Sequence, residues 1–385
     1  MRKPLLVAFL LATPLLAACT ENAESGGDSG DARSITVTST DDGCEVSSTE
    51  APSGTLTFDV TNDGSKVTEF YLLGEDGKRI VGEVENIGPG LSRQLVVAAP
   101  AGTYVTACKP GMKGDGIRAD FTVTESDQEP TASAGGEEQV DAALEQYEDY
   151  VKEQSGQLLA STKQFVALYK AGQDDRARAL YPRARTHWER IETVAESFGD
   201  LDPKTDAREA DLEPGQRWTG WHRIEKDLWP PASGYTPLTQ KQRAFYADDL
   251  LKNTETLDGR IQELTYTVDQ IANGSRGLLE EVANGKVTGE EEIWSHTDLW
   301  DFQANVDGAH EAFEYLEPIL AQKDPELLET LDDRFAALQK LLDAQRDGDG
   351  FVSYDQLTPD EVKQLANAVN ALAEPLSGLT AAVLS

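Results

Sequence analysis

The pattern of apolar residues changes once along this chain, and the change separates two kinds of fold. Residues 34–125 contain short runs rich in Val, Thr and aromatic residues, with Gly, Asp and Pro between them about every eight to twelve residues. That spacing is typical of an all-β sandwich. From Val140 onward, apolar residues recur at helical spacing over segments of roughly 20–35 residues. Short loops join these segments, which predicts one or two up-and-down helical bundles.

The domain boundaries follow from the same pattern. We predict a sandwich over residues 34–125, a polar linker over 126–139 and a helical domain over 140–385. The predicted strands cover 34–39, 55–62, 67–73, 79–84, 91–98, 103–108 and 117–124. The predicted helices cover 140–171, 174–198, 218–229, 239–273, 278–284, 295–322, 325–345 and 358–384.

The first residues predict export. Arg2 and Lys3 precede an apolar run of about a dozen residues, which is too short to span a membrane and is typical of a signal peptide. The run ends in Leu-Ala-Ala-Cys, which resembles a bacterial lipobox. We therefore predict a lipoprotein signal peptide over 1–18, a lipid anchor at Cys19 and a flexible tether over 19–33. An ordinary secretory signal with a chance cysteine is the alternative.

The charge of the chain excludes some partners. Lys and Arg number 34 and Asp and Glu 69, a net charge of −35. Removing residues 1–18 takes away Arg2 and Lys3 and no acid, which makes the charge −37. Sequence-independent binding to nucleic acid, or to anionic lipid through a basic face, needs clustered cations and is excluded. Such a surface suits a protein that handles cations.

Carboxylates and an imidazole recur at helical spacing in the second half. Glu189 and Glu192 share one helix face, and His222 and Glu225 share a face of a later helix. Asp206 lies in the segment between the two helices. Two facing helices with these side chains can close around one cation, and this donor set suits iron, manganese or zinc. The alternative is that these acids are solvated surface groups.

Other polar residues of the helical half carry weaker signals. His187 falls on the opposite helix face from Glu189, which indicates a structural role. His310 shares a face with other polar residues and indicates a surface stripe, whereas Asp298, Asp301 and Asn305 are candidates to line a cleft. The chain has neither His-Glu-x-x-His nor Gly-x-Ser-x-Gly in a strand–turn–helix setting, so a peptidase has little local support.

The sandwich half contains two cysteines and one methionine. Cys44 and Cys108 form a disulfide or take part in a metal site, and the sequence leaves both alternatives open. Residues 34–125 contain no His, which excludes a blue-copper electron carrier. The metal-site alternative would use Cys44, Glu69 and Cys108, with Met112 in the loop that follows as a further candidate.

Several segments together resemble the EfeO family of extracytoplasmic iron-uptake proteins. These segments are HWERIETVAESFGDLDP (187–203), GWHRIEKDLWP (220–230), HTDLWDFQANVDG (296–308), FVSYDQLTPDE (351–361) and ENIGPG (85–90), with the two cysteines of the sandwich. The resemblance covers essentially all of 34–385. It implies a cupredoxin-like Greek-key sandwich followed by an imelysin (peptidase M75-like) helical domain. It also implies metal bound by His222 and Glu225, with Glu189, Glu192 and Asp206 as further ligands. In the sandwich it implies a second metal site at Cys44, Glu69 and Cys108.

The resemblance implies a function in elemental iron uptake. The chain would capture iron outside the cytoplasmic membrane and pass it to an Ftr-like iron permease, with a secreted haem peroxidase as a further partner. Iron is the expected cargo, with copper or zinc as alternative metals, and no enzymatic activity is expected. Two alternatives stay open: a zinc-dependent metallopeptidase that uses the same ligands, and a surface lipoprotein that binds polysaccharide through a bridging metal.

Overall fold

The structure is a computed structural model that describes residues 32–126, 137–212 and 214–384. The predicted signal peptide over 1–18, the lipid anchor Cys19 and most of the tether over 19–33 lie outside these residues, as does most of the linker over 126–139. Within the described residues, no helix combines the length and the apolar character that crossing a membrane requires.

The first half of the described chain folds into nine strands. They are β1 Ser34–Ser39, β2 Cys44–Val46, β3 Glu50–Pro52, β4 Gly54–Asn62, β5 Thr68–Leu73, β6 Ile80–Ile87, β7 Ser92–Ala99, β8 Gly102–Cys108 and β9 Ile117–Thr124. All seven predicted strands are present. The two that the sequence analysis missed, β2 and β3, have three residues each, which is too short for an alternating pattern to show.

The strands form two sheets that pack face to face. One sheet has the order β2-β1-β4-β7 and the other β3-β9-β8-β5-β6. Alternate residues of β4 point into the core, where Phe58 contacts Phe70 and Phe121 with ring centroids 5.2 and 5.5 Å apart. A disulfide between Cys44 on β2 and Cys108 on β8 links the two sheets. The sandwich therefore has its own apolar core and a covalent link between its layers.

The second half is helical apart from a small hairpin. Its elements are α1 Glu137–Lys170, α2 Asp174–Glu189, α3 Glu192–Glu196, α4 Asp202–Thr205, α5 Trp221–Leu228, α6 Gln240–Ile261, α7 Val268–Asn284, α8 Asp298–Lys323, α9 Pro325–Asp343, β10 Arg346–Asp347, β11 Gly350–Phe351, α10 Pro359–Leu376 and α11 Leu379–Leu384. The predicted architecture, a β-sandwich followed by a helical domain, is confirmed. The predicted single helix over 239–273 is wrong, because α6 ends at Ile261 and a capping box of Thr267 and Gln270 starts α7.

The helices pack into two connected groups. Helix α1 packs against α2 and α6, and α7 packs against α8, α10 and α11. Helix α8 also contacts α1 and α2, so one continuous apolar core runs through the described helices. Gly308 makes this approach of α8 to α2 possible, because a Cβ at that position would collide with the backbone carbonyl of Arg190. The site described below lies where α2, α5 and α8 come together.

The sandwich and the helical domain are in direct contact. The backbone N–H of Ala98 donates to Asp269 Oδ2 at 2.9 Å, and the side chain of Asn273 donates to the carbonyl of Val96 at 2.9 Å. Arg93 and Glu280 form an ion pair at 2.6 Å. These bonds fix β7 against α7. Beside this contact is a cavity of about 630 Å³ lined by residues of both domains.

Candidate metal site

The short helix α5 carries the imidazole of the site. Its first residue, Trp221, is fully buried and contacts Phe165 and Tyr181 with ring centroids 5.1 and 5.8 Å apart. Gly220 precedes it with φ 89°, and a Cβ there would collide with the carbonyl of Thr205. The glycine therefore lets the start of α5 approach the end of α4, which brings His222 beside Asp206.

His222 is only 2% exposed, and both of its ring nitrogens face carboxylates. Nδ1 lies 3.3 Å from Glu225 Oε2. Nε2 lies 3.1 Å from Glu291 Oε1 and 3.6 Å from Asp206 Oδ1. A neutral imidazole has one N–H and can donate on one side only. The other nitrogen must therefore hold a second proton, accept from a protonated carboxyl or face a cation.

Both carboxylate oxygens of Glu225 have hydrogen-bond partners. Oε1 accepts hydrogen bonds from the backbone N–H groups of Trp294 and Ser295 at 2.9 and 2.7 Å, while Oε2 faces His222 Nδ1. A carboxylate held in this way fixes the orientation and the tautomer of an imidazole. Nε2 is thereby left as the ring nitrogen directed at Asp206 and Glu291.

Arg185 on α2 lies at the centre of the site and is fully buried. Its guanidinium forms ion pairs with Glu189 and Asp206, and its Nε lies 2.7 Å from Glu292 Oε1. Asp301 Oδ1 lies 3.6 Å from the same Nε. One permanent cation thus partly neutralises carboxylates from four separate segments of the chain.

Lys286, in the turn after α7, neutralises a second group of acids. Its Nζ lies 3.1 Å from Glu189 Oε2 and 2.7 Å from Glu192 Oε2. Asn305 on α8 donates to Glu192 Oε2 at 2.9 Å and to the carbonyl of Glu189 at 2.7 Å. The predicted single helix over 174–198 is broken between Glu189 and Glu192, yet Lys286 and Asn305 hold both side chains inside the site.

The site contains more acids than bases. Three permanent cations, Arg185, Lys286 and Arg208, and one imidazole face seven buried carboxyl groups, which belong to Glu189, Glu192, Asp206, Glu225, Glu291, Glu292 and Asp301. Burying unpaired charge is costly, so such a set takes up protons or cations. Both oxygens of Asp301 have no hydrogen-bond partner among the described residues. The donor set is therefore suited to binding an additional cation.

The pKa values of the site reflect this imbalance. Burial raises the pKa of Glu189, Glu292 and Asp301 well above the ordinary value, and neighbouring carboxylates raise it further. Burial also raises the pKa of Glu291, but Lys286, His222 and Arg185 outweigh it and hold that pKa well below its usual range. For His222, burial and Arg185 lower the pKa, yet Asp206, Glu225 and Glu291 bring it well above its ordinary value.

The structure brings all five sequence-predicted residues of the helical domain together, namely Glu189, Glu192, Asp206, His222 and Glu225. It also places Asp298, Asp301 and Asn305 in the buried site. The sequence analysis missed four central residues, which are Arg185, Lys286, Glu291 and Glu292. The run of three acids at 290–292 was the available signal for the last two.

The other histidines lie outside the site. His187 Nδ1 lies 2.9 Å from Gln154 Oε1, and burial together with Arg190 lowers its pKa to about 4. This agrees with the structural role predicted for His187. His310 is 39% exposed at its side chain and pairs with Glu314 at 3.6 Å on α8. Substitutions in this exposed histidine–glutamate pair can therefore serve as controls for substitutions at His222 and Glu225.

The cysteines of the sandwich require a correction. Cys44 and Cys108 form a disulfide, so the alternative in which both bind a metal as thiolates is wrong: a disulfide sulfur carries no thiolate charge. Glu69 is buried and accepts a hydrogen bond from the Tyr71 hydroxyl at 2.7 Å, and Lys109 Nζ lies 3.5 Å from it. Met112 lies in the turn after β8 and is 40% exposed. That Glu69 and Met112 bind a metal stays a prediction.

Comparison with known proteins agrees with this architecture. Residues 6–123 match the model of the cupredoxin-like domain, and residues 143–379 match that of imelysin, the peptidase M75 family. The fold and the site thus define an imelysin protein with an N-terminal cupredoxin-like domain.

Curated relatives show more specifically which family the chain belongs to. The iron uptake system component EfeO of Escherichia coli O157:H7 is 37% identical over 358 residues, which cover 91% of this chain and 92% of the relative. The proteins of the same name from E. coli K12 and Shigella flexneri are 36% identical over the same shares. The chain therefore belongs to the EfeO family, which confirms the resemblance found in the sequence.

The raised pKa of His222 predicts how metal-free stability depends on pH. Between pH 6.5 and 8 the folded protein keeps a proton on His222 that the unfolded chain loses, and Glu189, Glu292 and Asp301 act in the same direction. Stability should therefore fall as the pH rises, by about 1.4 kcal/mol per pH unit for each such proton. Below pH 6.5 the lowered pKa of His187 opposes this trend.

Urea unfolding in the presence of a chelator, at half-unit steps from pH 6.5 to 8, measures this slope. His222→Asn removes the titrating imidazole and should flatten the profile. A stability that is constant or rises across this range in the parent protein would contradict the prediction.

Proposed function

We propose that this chain is the iron-binding component of an uptake system outside the cytoplasmic membrane, and that its helical domain captures one iron cation at His222. One observation carries the proposal. Nε2 of a buried, oriented imidazole faces two carboxylates in a site that holds more acids than bases. The names of the relatives, iron uptake system component EfeO, support iron as the cargo.

Asp206, His222 and Glu291 supply the first ligands. One donor atom from each lies within 4.8 Å of the others, which suits a cation about 2.0–2.4 Å from nitrogen and oxygen donors. A mixed imidazole and carboxylate set suits iron and disfavours copper(I). Asp206 and Glu291 are 7% and 8% exposed, against 2% for His222. We therefore assign the access route to their side of the site.

We assign Glu225, predicted as a ligand, to positioning the imidazole. Both of its oxygens are already used, by two backbone N–H groups and by His222 Nδ1. Asp301 is the better candidate for an additional ligand. Its two oxygens have no hydrogen-bond partner among the described residues, whereas Glu292 accepts hydrogen bonds from Tyr181 and Ser295.

The sandwich is proposed to assist transfer of the cation to a membrane permease. Carboxylates of both domains, including Glu69, Glu83, Glu196 and Asp202, line the cavity of about 630 Å³ between them. A permease of the Ftr-like type and a haem peroxidase are the proposed partners. The predicted lipid anchor at Cys19 would keep the chain at the outer face of the membrane, and its acidic surface would raise the local cation concentration.

Binding without a chemical reaction accounts for the geometry better than peptide hydrolysis does. A zinc peptidase needs an open coordination position beside a groove for an extended substrate. His222 is 2% exposed and has carboxylates on both nitrogens. The relatives are also named for iron uptake and not for proteolysis.

An uptake assay tests the function. In bacterial cells that lack their own relative of this chain, expressing the chain with its signal peptide should raise the initial rate of radioactive iron accumulation at limiting iron. The His222→Ala variant should not raise it. An unchanged rate with the parent chain, or an equal gain with radioactive zinc, would overturn the proposal.

Glu225→Gln should weaken iron binding by about 100-fold without unfolding the protein. The amide oxygen can still accept from Trp294 and Ser295, but the amide nitrogen then donates toward His222 Nδ1. This moves the imidazole proton to Nε2, the nitrogen that faces Asp206 and Glu291.

Anaerobic calorimetry with ferrous iron measures this effect, and Glu314→Gln, in the exposed pair with His310, is the matched control. Unchanged affinity in Glu225→Gln would show that Glu225 neither positions the imidazole nor binds the metal.

A further inference from the structure

Lys286 occupies a second group of carboxylates beside the His222 position. The residue is fully buried, in the 3₁₀ turn Lys286–Thr288. Its Nζ lies 3.0 and 2.7 Å from the two oxygens of Glu192 and 3.1 Å from Glu189 Oε2. The ammonium thus donates two hydrogen bonds to Glu192 and forms an ion pair with Glu189.

The ammonium contacts two of three carboxylates that together have the spacing of a cation site. Oxygens from Glu189, Glu192 and Asp206 lie within 4.8 Å of one another, so a divalent cation about 2.0–2.4 Å from each would fit among them. Asn305 adds an independent observation. Its side chain is fully buried and bonded to Glu192, and its Oδ1 has no hydrogen-bond partner among the described residues. The amide nitrogen now faces Glu189 and Glu192, and rotation of the amide would turn Oδ1, a ligand type that hard cations accept, toward them.

The local charge balance depends on Lys286. Glu189 also pairs with Arg185, but Lys286 is the one cation among the described residues that forms an ion pair with Glu192. The ammonium carries one charge and is tethered by its side chain. It therefore neutralises these acids permanently, while a divalent cation would do so only when bound.

We propose that Lys286 is a built-in cation that closes a second metal position between Glu189 and Glu192, so that the chain loads one cation at His222 and none beside it. This inference rests on the proposed function in one respect only, namely that one cation binds at His222. Removing the ammonium should open the second position to a divalent cation.

The test replaces Lys286 with methionine, which is unbranched, of similar length and neutral. Ferrous iron is added anaerobically to the full mature chain, and bound iron is counted by mass spectrometry of the metal after gel filtration. The parent chain should retain one equivalent and Lys286→Met two. Without metal, the unfolding midpoint of the variant should fall by roughly 10 °C, and iron should restore most of the loss.

Matched variants separate the possible results. Lys204→Met removes an exposed lysine and should leave one equivalent, and Glu192→Gln in the Lys286→Met background should lose the second equivalent. One equivalent in both the parent and Lys286→Met would overturn this inference and leave the proposed function intact. No iron in the parent, together with one equivalent in Lys286→Met, would overturn the proposed function and leave this inference intact. A variant that folds only with iron supports the inference, and one that folds under neither condition refutes it.

Discussion

Replacing His222 with alanine should weaken iron binding to the helical domain by at least about 100-fold while the fold stays intact. The substitution removes the one nitrogen ligand and leaves Asp206 and Glu291 with no imidazole between them. Loss of a residue that only orients a ligand costs about 10–100-fold, so loss of the ligand itself should cost more. Carboxylates alone also discriminate less between iron and the hard cations calcium and magnesium.

Anaerobic titration calorimetry with ferrous iron measures the effect, and circular dichroism verifies the fold. His310→Ala is the matched control, because it removes an exposed histidine that also pairs with a glutamate. If His222→Ala bound iron as tightly as the parent, the site would lie elsewhere in the chain. Calcium in excess should compete with iron more effectively in the variant than in the parent.

Part of this site could be predicted because the side-chain directions of a helix follow from spacing. Glu189 with Glu192, and His222 with Glu225, are each three residues apart and point to one face of a helix. That geometry needs no knowledge of the tertiary fold. Both glutamates still reach one place across the break between α2 and α3, because Lys286 contacts both of their carboxylates.

The rest of the site depends on tertiary contacts that spacing does not encode. Glu291, Glu292 and Lys286 lie in the segment between α7 and α8, which has no periodic pattern. Arg185 looks like an ordinary solvated arginine in the sequence, and in the fold it is buried among acids of other segments, such as Asp206 and Asp301. The sequence therefore predicted carboxylates and an imidazole that the structure brings together, and it missed the cations that balance them.

The sandwich, too, could be predicted from the sequence only in part. Its strands could be predicted from alternation, whereas the state of its cysteines could not. Cys44 and Cys108 are separated by 64 residues, and only the packing of two sheets brings their Cα atoms to 5.5 Å. Sequence separation gives no information about such a distance, which is why a disulfide and a metal site were equal alternatives.

Arg185 is the residue on which the metal-free site depends most. It is fully buried, and its ion pairs reach Glu189, Asp206, Glu291, Glu292 and Asp301. A buried ion pair adds little net stability compared with apolar residues, but removing one partner leaves the other charge uncompensated. Here one guanidinium is the counter-ion of several carboxylates. Its loss should therefore affect the fold more than the loss of any single acid would.

Arg185→Met should lower the metal-free stability of the helical domain by about 3–5 kcal/mol, because it leaves buried carboxylates without a cation. Thermal unfolding in a chelator should show a midpoint roughly 10 °C lower. Iron should recover part of the loss, since a bound cation replaces some of the missing charge. Lowering the pH should also recover part, because carboxylates that have lost their counter-charge can then take up protons.

Arg176→Met is the control on the same helix, because Arg176 is exposed and hydrogen-bonds only Gln173 among the described residues. Its effect should stay within about 0.5 kcal/mol. A loss below about 1 kcal/mol in Arg185→Met, with no response to iron or acid, would mean that none of the carboxyls around Arg185 is ionised in the metal-free protein. The acid excess would then supply no driving force for cation binding, and the affinity of the site would have to come from the His222 ligands alone.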